Sequence, residues 1–87
     1  MADEGAKKFC LVLVANGSEE VETISIVDAL RRAKINVTLA AVGENLQVKC
    51  SRGVQIVADS LFSACNCEEY DAIILPGKHE VSITRLS

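Results

Sequence analysis

The chain has 87 residues, which is enough for one small domain or for part of a larger one. Its formal net charge is −3 at pH 7, so neither nucleic acid nor an anionic membrane is expected as a partner. Hydrophobic residues make up 49% of the chain and aromatic residues only 3%. A core of Val, Ile, Leu and Ala is typical of parallel strands packed beneath helices.

The amino-terminal residues 1–8 are polar and are expected to be disordered. No apolar stretch like that of a secretory signal follows them, and the longest apolar run, Phe9–Ala15, is too short to span a bilayer. These features predict a soluble cytoplasmic protein and leave the nucleus and the mitochondria open as further locations. The two N-x-S/T triplets, at Asn16 and Asn36, are therefore expected to be chance matches to the glycosylation signal.

Two continuous apolar runs, Phe9–Ala15 and Val37–Val42, predict strands that are buried on both faces. The segment between them predicts a helix from about Glu19 to Ala33. A strand, a helix and a parallel strand in this order form a βαβ unit, whose crossover is right-handed. The turn after the first strand is acidic and lies where open α/β sheets bind ligands.

The predicted helix begins in this acidic turn. Ser18 is the candidate N-cap, and Glu19 and Glu20 are expected to face solvent in the first turn, where the helix dipole favours negative charge. The apolar residues assigned to the buried face of the helix are Val21, Ile24, Val27, Ala29, Leu30 and Ile35.

The next segments predict shorter elements. Leu46–Cys50 and Val54–Ala58 alternate around the turn Ser51-Arg52-Gly53 and predict a β-hairpin. A short helical turn is expected to begin at Asp59 and to end near Cys67.

A third buried strand is predicted over Ala72–Leu75 and is followed by Pro76-Gly77. Residues 78–87 show no clear pattern and are expected to form a divergent tail. The chain therefore ends, on this interpretation, before a sheet of this kind could close around a site.

The residue pattern alone offers three candidates for chemistry. Glu22 lies beside the apolar face of the helix, where a partly desolvated carboxyl group could donate a hydrogen bond to an anion or a thiolate. Gly77 follows a strand and could bring backbone amides close to an oxyanion, and Arg52 could reach an anionic ligand. An ordinary helix carboxylate, an ordinary loop and a solvated turn remain the alternatives, and His79 is expected to be an exposed loop residue.

The four cysteines, Cys10, Cys50, Cys65 and Cys67, are expected to be reduced thiols in a cytosolic chain. The spacing of Cys65, Cys67 and His79 fits none of the common structural zinc patterns, so no metal site is predicted. The sequence also contains no P-loop, no dinucleotide fingerprint and no strand–turn–helix elbow that would expose a nucleophile.

Three segments carry a family resemblance: LVLVANGSEEVETISIVDALRRAKINVTLAAV, KCSRGVQIVAD and YDAIILPG. Together they resemble the amino-terminal half of the DJ-1-like members of the DJ-1/ThiJ/PfpI superfamily, over residues 9–77. The resemblance implies an α/β fold, namely a flavodoxin-like three-layer sandwich with a mostly parallel sheet. That fold would be present here as a truncated half plus a β-hairpin. It also implies a homodimer and no cofactor.

Proteins of this kind are described as cysteine-dependent glyoxalases or protein deglycases that act on small dicarbonyls, as oxidative-stress sensors and as chaperones. Carried over by position, Glu22 matches the glutamate that hydrogen-bonds the reactive thiolate or its sulfinate, and Gly77 matches the first glycine of a Pro-Gly-Gly turn beside the nucleophile. Arg32 and Arg52 match arginines near the dimer interface and the mouth of the site. Cys50 matches a peripheral cysteine that is not the nucleophile.

The chain departs from the family pattern at two points. Lys78 stands where the family has its second glycine, and the reactive cysteine with its elbow and nearby histidine is not found. Two functions therefore stay open: a truncated DJ-1-like protein without its nucleophile, and a non-enzymatic chaperone-like or partner-binding fragment that associates through an exposed sheet edge. A third reading is that residues 78–87 are not native coding sequence.

Overall fold

A computed structural model of the chain describes residues 7–76 and 81–85. Its strands and helices in chain order are β1 (Phe9–Val14), α1 (Glu20–Arg32), β2 (Asn36–Ala41), β3 (Gln47–Lys49), β4 (Gln55–Val57), β5 (Ser60–Leu61), two 3₁₀ turns (Phe62–Ala64 and Cys67–Glu69), β6 (Ala72–Pro76) and β7 (Val81–Arg85). The first βαβ unit and the third apolar strand therefore form as the sequence predicts.

Strand β1 is the centre of a five-stranded sheet with the order β5-β2-β1-β6-β7. It pairs in parallel with β2 and with β6, so that Val12 lies opposite Leu39 on one side and Ile74 on the other. Strand β5 extends the parallel part, and β7 pairs antiparallel with β6. The sheet is therefore mostly parallel, and the carboxyl ends of β1, β2 and β6 lie at the same edge.

The two faces of the sheet carry separate apolar cores. Alternate residues of β1, among them Val12, pack with Val27 of α1 and with Val48 of the hairpin. The intervening residue Leu11 packs on the opposite face, beneath the segment 62–70. The sheet thus lies between two layers, as the predicted sandwich requires. In the described residues the second layer consists of 3₁₀ turns and contains no α-helix.

Helix α1 begins one residue later than predicted and has a different cap. The Oε1 atom of Glu19 accepts a hydrogen bond from the Glu22 backbone N–H at 2.9 Å, so Glu19 is the N-cap. The hydroxyl of Ser18 instead accepts a hydrogen bond from Ala15 N at 2.9 Å and closes the preceding turn. The prediction of Ser18 as the cap is wrong because its hydroxyl binds backwards, to the chain that precedes the helix.

The buried face of α1 is also rotated from the predicted one. Thr23 and Val27 are buried, and Leu30 packs from a partly buried position against the core that contains Val27. Val21 and Ile24 are 69% and 48% exposed. Ala29, also assigned to the buried face, is exposed as well. The apolar residues of α1 therefore form two groups, and only one of them faces the sheet.

The helix ends in a Schellman motif. Ile35 N donates to Leu30 O and Lys34 N donates to Arg31 O, both at 3.0 Å. Lys34 adopts a positive φ of 67°, a conformation that glycine usually supplies at this position. Ile35 packs against the same core as Leu30, which completes the motif and directs the chain into β2.

Two parts of the second half differ from the predictions. The antiparallel hairpin of β3 and β4 forms as expected, but the helical turn predicted from Asp59 to Cys67 is a two-residue strand followed by 3₁₀ turns. The segment 78–87, for which no pattern was identified, contains β7. Gly77, Lys78 and His79 lie outside the described residues. Within those residues the structure contains no helix that is long and apolar enough to cross a membrane.

Candidate functional site

The β3–β4 hairpin is docked on the turn that joins β1 to α1. Gly17 N donates to Lys49 O at 2.9 Å, and Ser51 N donates to Ser18 O at 2.8 Å. Asn16 adds a side-chain contact, because its Oδ1 atom accepts a hydrogen bond from Lys49 N at 2.9 Å. The amino end of the helix, the carboxyl end of β1 and the tip of the hairpin are therefore held together at one corner of the molecule.

Glu20 fixes the tip of this hairpin. Its carboxylate accepts hydrogen bonds from Arg52 N at 2.9 and 3.2 Å, from Val54 N at 3.3 Å and from the Ser51 hydroxyl at 3.1 Å. The residue is only 6% exposed. The prediction that Glu20 faces solvent is therefore wrong. Glu19, predicted to do the same, is partly buried as the helix cap.

Hydrogen bonding decides the ionisation of Glu20. Burial disfavours the charged form and alone would raise the pKa of the Glu20 carboxyl group. The hydrogen bonds from the backbone of Glu20, Arg52 and Val54 and from the Ser51 hydroxyl outweigh burial and lower this pKa below its ordinary value. The group is therefore a carboxylate at neutral pH and acts only as an acceptor.

A signal for the burial of Glu20 is present in the sequence. Glu20, Thr23 and Val27 follow one another at helical spacing, so Glu20 lies on the same face as the buried Val27. The turn Ser51-Arg52-Gly53 supplies backbone donors that need an acceptor. The helical spacing places Glu20 on the buried face of α1 but does not show that the hairpin tip covers it.

Glu22 occupies the first turn of α1, close to the carboxyl end of β1. Its side chain is partly buried, and its backbone N–H is held by the Glu19 carboxylate. Arg52 is exposed at the hairpin tip, and its backbone is fixed by Glu20. Glu22 and Arg52 therefore both lie on elements that form this corner, the first turn of α1 and the hairpin tip. Their proposed roles toward a thiolate or an anionic ligand stay predictions.

Arg32 is not part of this corner. It lies in the last turn of α1, and its guanidinium pairs with Asp28 at 3.4 Å. With a rise of about 1.5 Å per residue, the helix separates Arg32 from Glu22 by about 15 Å along its axis. Gly77 lies outside the described residues, although the preceding Pro76 ends β6 at the same sheet edge. Of the four predicted site residues, Glu22 and Arg52 thus lie on the elements of the corner, Arg32 lies at the other end of α1, and Gly77 is outside the described residues.

The two buried cysteines are poor nucleophiles. Burial raises the pKa of the Cys10 thiol, and nearby Asp71 raises it further. Cys50 is 4% exposed, and burial raises its pKa too, with added repulsion from Glu20 and Glu19. Both thiols therefore stay protonated at neutral pH.

Cys65 and Cys67 belong to the segment of 3₁₀ turns and pack with it on the opposite face of the sheet. Cys65 Sγ lies 3.3 Å from the Ser60 hydroxyl and donates to Leu61 O at 3.4 Å. In the described part of the chain, no three His, Cys, Asp or Glu side chains are grouped as a metal site would require.

A mostly parallel sheet with a βαβ unit and an acidic corner at its carboxyl edge defines a flavodoxin-like α/β protein. The family model described as the DJ-1/PfpI family matches residues 8–84. The chain belongs to the DJ-1/PfpI family, which confirms the resemblance found in the sequence.

Individual relatives agree. The chain is 51% identical to Protein DJ-1 homolog B of Arabidopsis thaliana over 67 residues, which cover 77% of this chain and 15% of that protein. It is 47% identical to the Parkinson disease protein 7 homolog of Danio rerio over 73 residues, 83% of this chain and 39% of that protein. The solved structure of oxidized Toxoplasma gondii DJ-1 superposes with a TM-score of 0.77 at 48% identity, over 80% of this chain and 38% of that one. The chain therefore spans less than half the length of these relatives.

Proposed function

We propose that this chain supplies the acidic half of a DJ-1-type, cysteine-dependent site that acts on small dicarbonyls and responds to oxidation. The observation that carries the proposal is the partly buried Glu22 beside the carboxyl end of β1, in a chain that belongs to the DJ-1/PfpI family. The name of the Toxoplasma gondii relative, which states an oxidized form, supports a redox-active site. In such a site Glu22 would hydrogen-bond the reactive thiol and exchange a proton with it.

None of the four cysteines is suited to be that thiol. Cys10 lies near the amino end of β1, away from the carboxyl edge, and Cys50 is buried with a raised pKa. Cys65 and Cys67 lie on the opposite face of the sheet from α1. We infer that these 87 residues have no dicarbonyl turnover on their own and that their acidic corner works with a cysteine from outside them.

The first test measures the consumption of methylglyoxal by the purified chain, with a full-length DJ-1 relative as the positive control. We expect the loss of methylglyoxal to equal that in buffer, because no low-pKa thiol faces the acidic corner. Conversion by the chain that is abolished by alkylating its cysteines would contradict the proposal.

A second test addresses Glu22 directly in a chimera that joins this chain to the carboxyl-terminal half of the Danio rerio relative. The pH dependence of iodoacetamide labelling reports the pKa of the reactive thiol. We expect Glu22→Gln to change that pKa by about one unit, the usual effect of a neighbouring charge or hydrogen bond. Glu44→Gln, in the exposed turn after β2, is the matched control and should leave it unchanged. Equal thiol pKa values in the chimera and its Glu22→Gln variant would remove Glu22 from the mechanism.

A second candidate function is association with another protein, a second copy of this chain in the first instance. Val21 and Ile24 are large, exposed and adjacent on one face of α1, which continues through Asp28 to Arg32. An exposed apolar patch bordered by charged residues is typical of an interaction surface. This observation supports the homodimer that the family resemblance implies.

Sedimentation of the chain over a range of concentrations tests the association. We expect Ile24→Lys to shift the chain toward the monomer. Val57→Lys, on β4, changes a residue that is 66% exposed and should have no effect. A monomer at every concentration would overturn the proposal. Association that survives Ile24→Lys would instead point to the sheet edges formed by β5 and β7.

A further inference from the structure

The turn after β1 contains an Asn-Gly pair that the proposed site does not use. Asn16 is exposed, and Gly17 follows it with a φ of 91°. Ser18 N donates to Ala15 O at 3.0 Å, so the pair occupies the two central positions of a type II turn. A glycine after asparagine leaves its backbone nitrogen unshielded by any side chain, which makes the pair the most reactive sequence for loss of the asparagine amide.

We propose that Asn16 is a site of spontaneous deamidation whose rate is set by the docking of the β3–β4 hairpin. In this reaction the Gly17 backbone nitrogen, after losing its proton to solvent, attacks Cγ of Asn16. The side-chain nitrogen leaves as ammonia and a cyclic succinimide forms. Water then opens the ring to aspartate or to isoaspartate. The balance is one water consumed and one ammonia released, with no oxidant or reductant.

Both reacting groups are held by the same residue of the hairpin. The Gly17 N–H, which must be deprotonated, donates to Lys49 O at 2.9 Å. The Asn16 side-chain carbonyl, whose carbon must be attacked, accepts from Lys49 N at 2.9 Å. The amide of Asn16 cannot turn toward the Gly17 nitrogen without breaking these two bonds. In the docked state the pair is therefore protected although it is exposed to water.

Release of Lys49 requires the neighbouring hairpin tip to move as well. Glu20 binds Ser51, Arg52 and Val54, and Ser18 O accepts from Ser51 N. These contacts involve residues 51–54, which follow Lys49 closely in the chain. They anchor the hairpin to Ser18 and Glu20, on the helix side of the Asn16-Gly17 turn. Glu20 is thus a positioning residue for the protection of Asn16, although it touches neither reacting group.

The two products have opposite effects on the corner. Aspartate keeps an oxygen that can accept the Lys49 N–H, and it adds a negative charge near the amino end of α1, where the helix dipole favours it. Isoaspartate lengthens the backbone by one atom between Asn16 and Gly17. This shift separates Gly17 N from Lys49 O, so the hairpin cannot dock in the same register.

The experiment follows deamidation by mass spectrometry of peptides from the whole chain, with enzymatic methylation to count isoaspartate. The chain is aged in buffer and in urea at the same pH and temperature. We expect native Asn16 to react at least about tenfold more slowly than in urea, the factor that one or two broken hydrogen bonds account for. Asn36, Asn45 and Asn66, followed by Val, Leu and Cys, are internal controls and should react much more slowly than Asn16 in urea.

Two variants test the role of the hairpin. Glu20→Gln places an amide N–H₂ group against backbone donors, and Ser51→Ala removes one of the four hydrogen bonds. We expect both to raise the native rate at Asn16, Glu20→Gln by about tenfold and Ser51→Ala by less, with rates in urea unchanged. Glu44→Gln is the matched control and should react like the wild type.

Equal native and urea rates in the wild type would overturn the proposal. So would native rates that stay at the wild-type value in both variants. If circular dichroism shows that Glu20→Gln is unfolded, Ser51→Ala alone decides the outcome. These results do not depend on the dicarbonyl proposal, because the readout needs no reactive cysteine.

Discussion

Glu20 shows how a carboxylate can be buried without an ion pair in the described structure. A buried charge is costly unless hydrogen bonds replace the lost water. Here the backbone N–H groups of Arg52 and Val54 and the Ser51 hydroxyl replace it, and the amino end of α1 adds a favourable dipole. The charge therefore stabilises the hairpin instead of opposing the fold.

The first prediction compares Glu20→Gln with Glu22→Gln. Glutamine at position 20 retains one acceptor but turns a donor toward the hairpin amides, so we expect a clear fall in the urea midpoint of unfolding. Glu22→Gln should change the midpoint little, because no hairpin amide depends on its side chain. Urea titrations followed by circular dichroism measure both, and equal midpoints for the two variants would contradict the role assigned to Glu20.

The second prediction concerns acid. Because the folded-state pKa of Glu20 lies below its unfolded value, its contribution to stability is complete above the ordinary glutamate pKa of about 4.3. It is lost as the pH falls through the lower, folded-state pKa. The difference in unfolding free energy between wild type and Glu20→Gln should therefore be constant near neutrality and shrink below about pH 4. If this difference in unfolding free energy grew in acid, the folded-state pKa of Glu20 would lie above its unfolded value and not below it.

At the scale of single elements, α1 ends at a lysine whose backbone conformation is unfavourable for a residue with a side chain. The Schellman hydrogen bonds of Lys34 and Ile35 require one residue in the left-handed backbone conformation, and Lys34 adopts it with a φ of 67°. A Cβ atom in this conformation is crowded by the neighbouring carbonyl oxygen. The packing of Ile35 and Leu30 on the core keeps the helix ending there in spite of this strain.

The third prediction is that Lys34→Gly stabilises the chain. Removing the Cβ strain outweighs the added entropy of glycine in the unfolded chain and should gain about 0.5–1 kcal/mol. Lys34→Ala is the matched control, because it removes the charge and keeps the Cβ atom. Thermal unfolding measures both variants. A gain for alanine equal to that for glycine would assign the effect to the charge and not to the backbone.

At the scale of the whole molecule, the two cores divide the thiols into two classes. Cys10 and Cys50 are buried between the sheet, α1 and the hairpin, while Cys65 and Cys67 lie partly exposed on the other face. A thiol must ionise and be reached by the reagent before it reacts. Reactivity toward a maleimide therefore reports how the layers are packed.

The fourth prediction is that a maleimide modifies Cys65 and Cys67 in the native chain, whereas Cys10 and Cys50 react only in urea. Alkali should also destabilise the fold. The buried thiols have raised folded-state pKa values, so their contribution is complete below the ordinary thiol pKa of about 8.5 and is lost as the pH rises through the folded-state values. Peptide mapping identifies the modified cysteines. Rapid native labelling of Cys50 would show that the hairpin does not stay docked.

Much of the fold was predictable because the signals are local. The apolar run of β1 and the turn chemistry around Arg52 each specify their own element. The predictions do not include strand β7, although Val81 and Ile83 alternate with Ser82 and Thr84, a period typical of a strand. The predicted buried face of α1 is wrong because it includes Val21 and Ile24, which are apolar but exposed, and apolar residues on a surface are common.

The sequence by itself determined the family, the first βαβ unit, the β3–β4 hairpin, strand β6 and the acidic character of the first turn, because these depend on neighbouring residues. Only the tertiary structure decided what packs against Glu20, because that contact joins parts of the chain that are far apart in sequence. Glu19, Glu20 and Glu22 are close in sequence but differ in their surroundings. Glu19 caps the amino end of α1, Glu20 binds the hairpin tip, and Glu22 is partly buried in the first turn of the helix. The contact of Glu20 with Arg52 joins residues distant in the chain, and no local pattern records such a pairing.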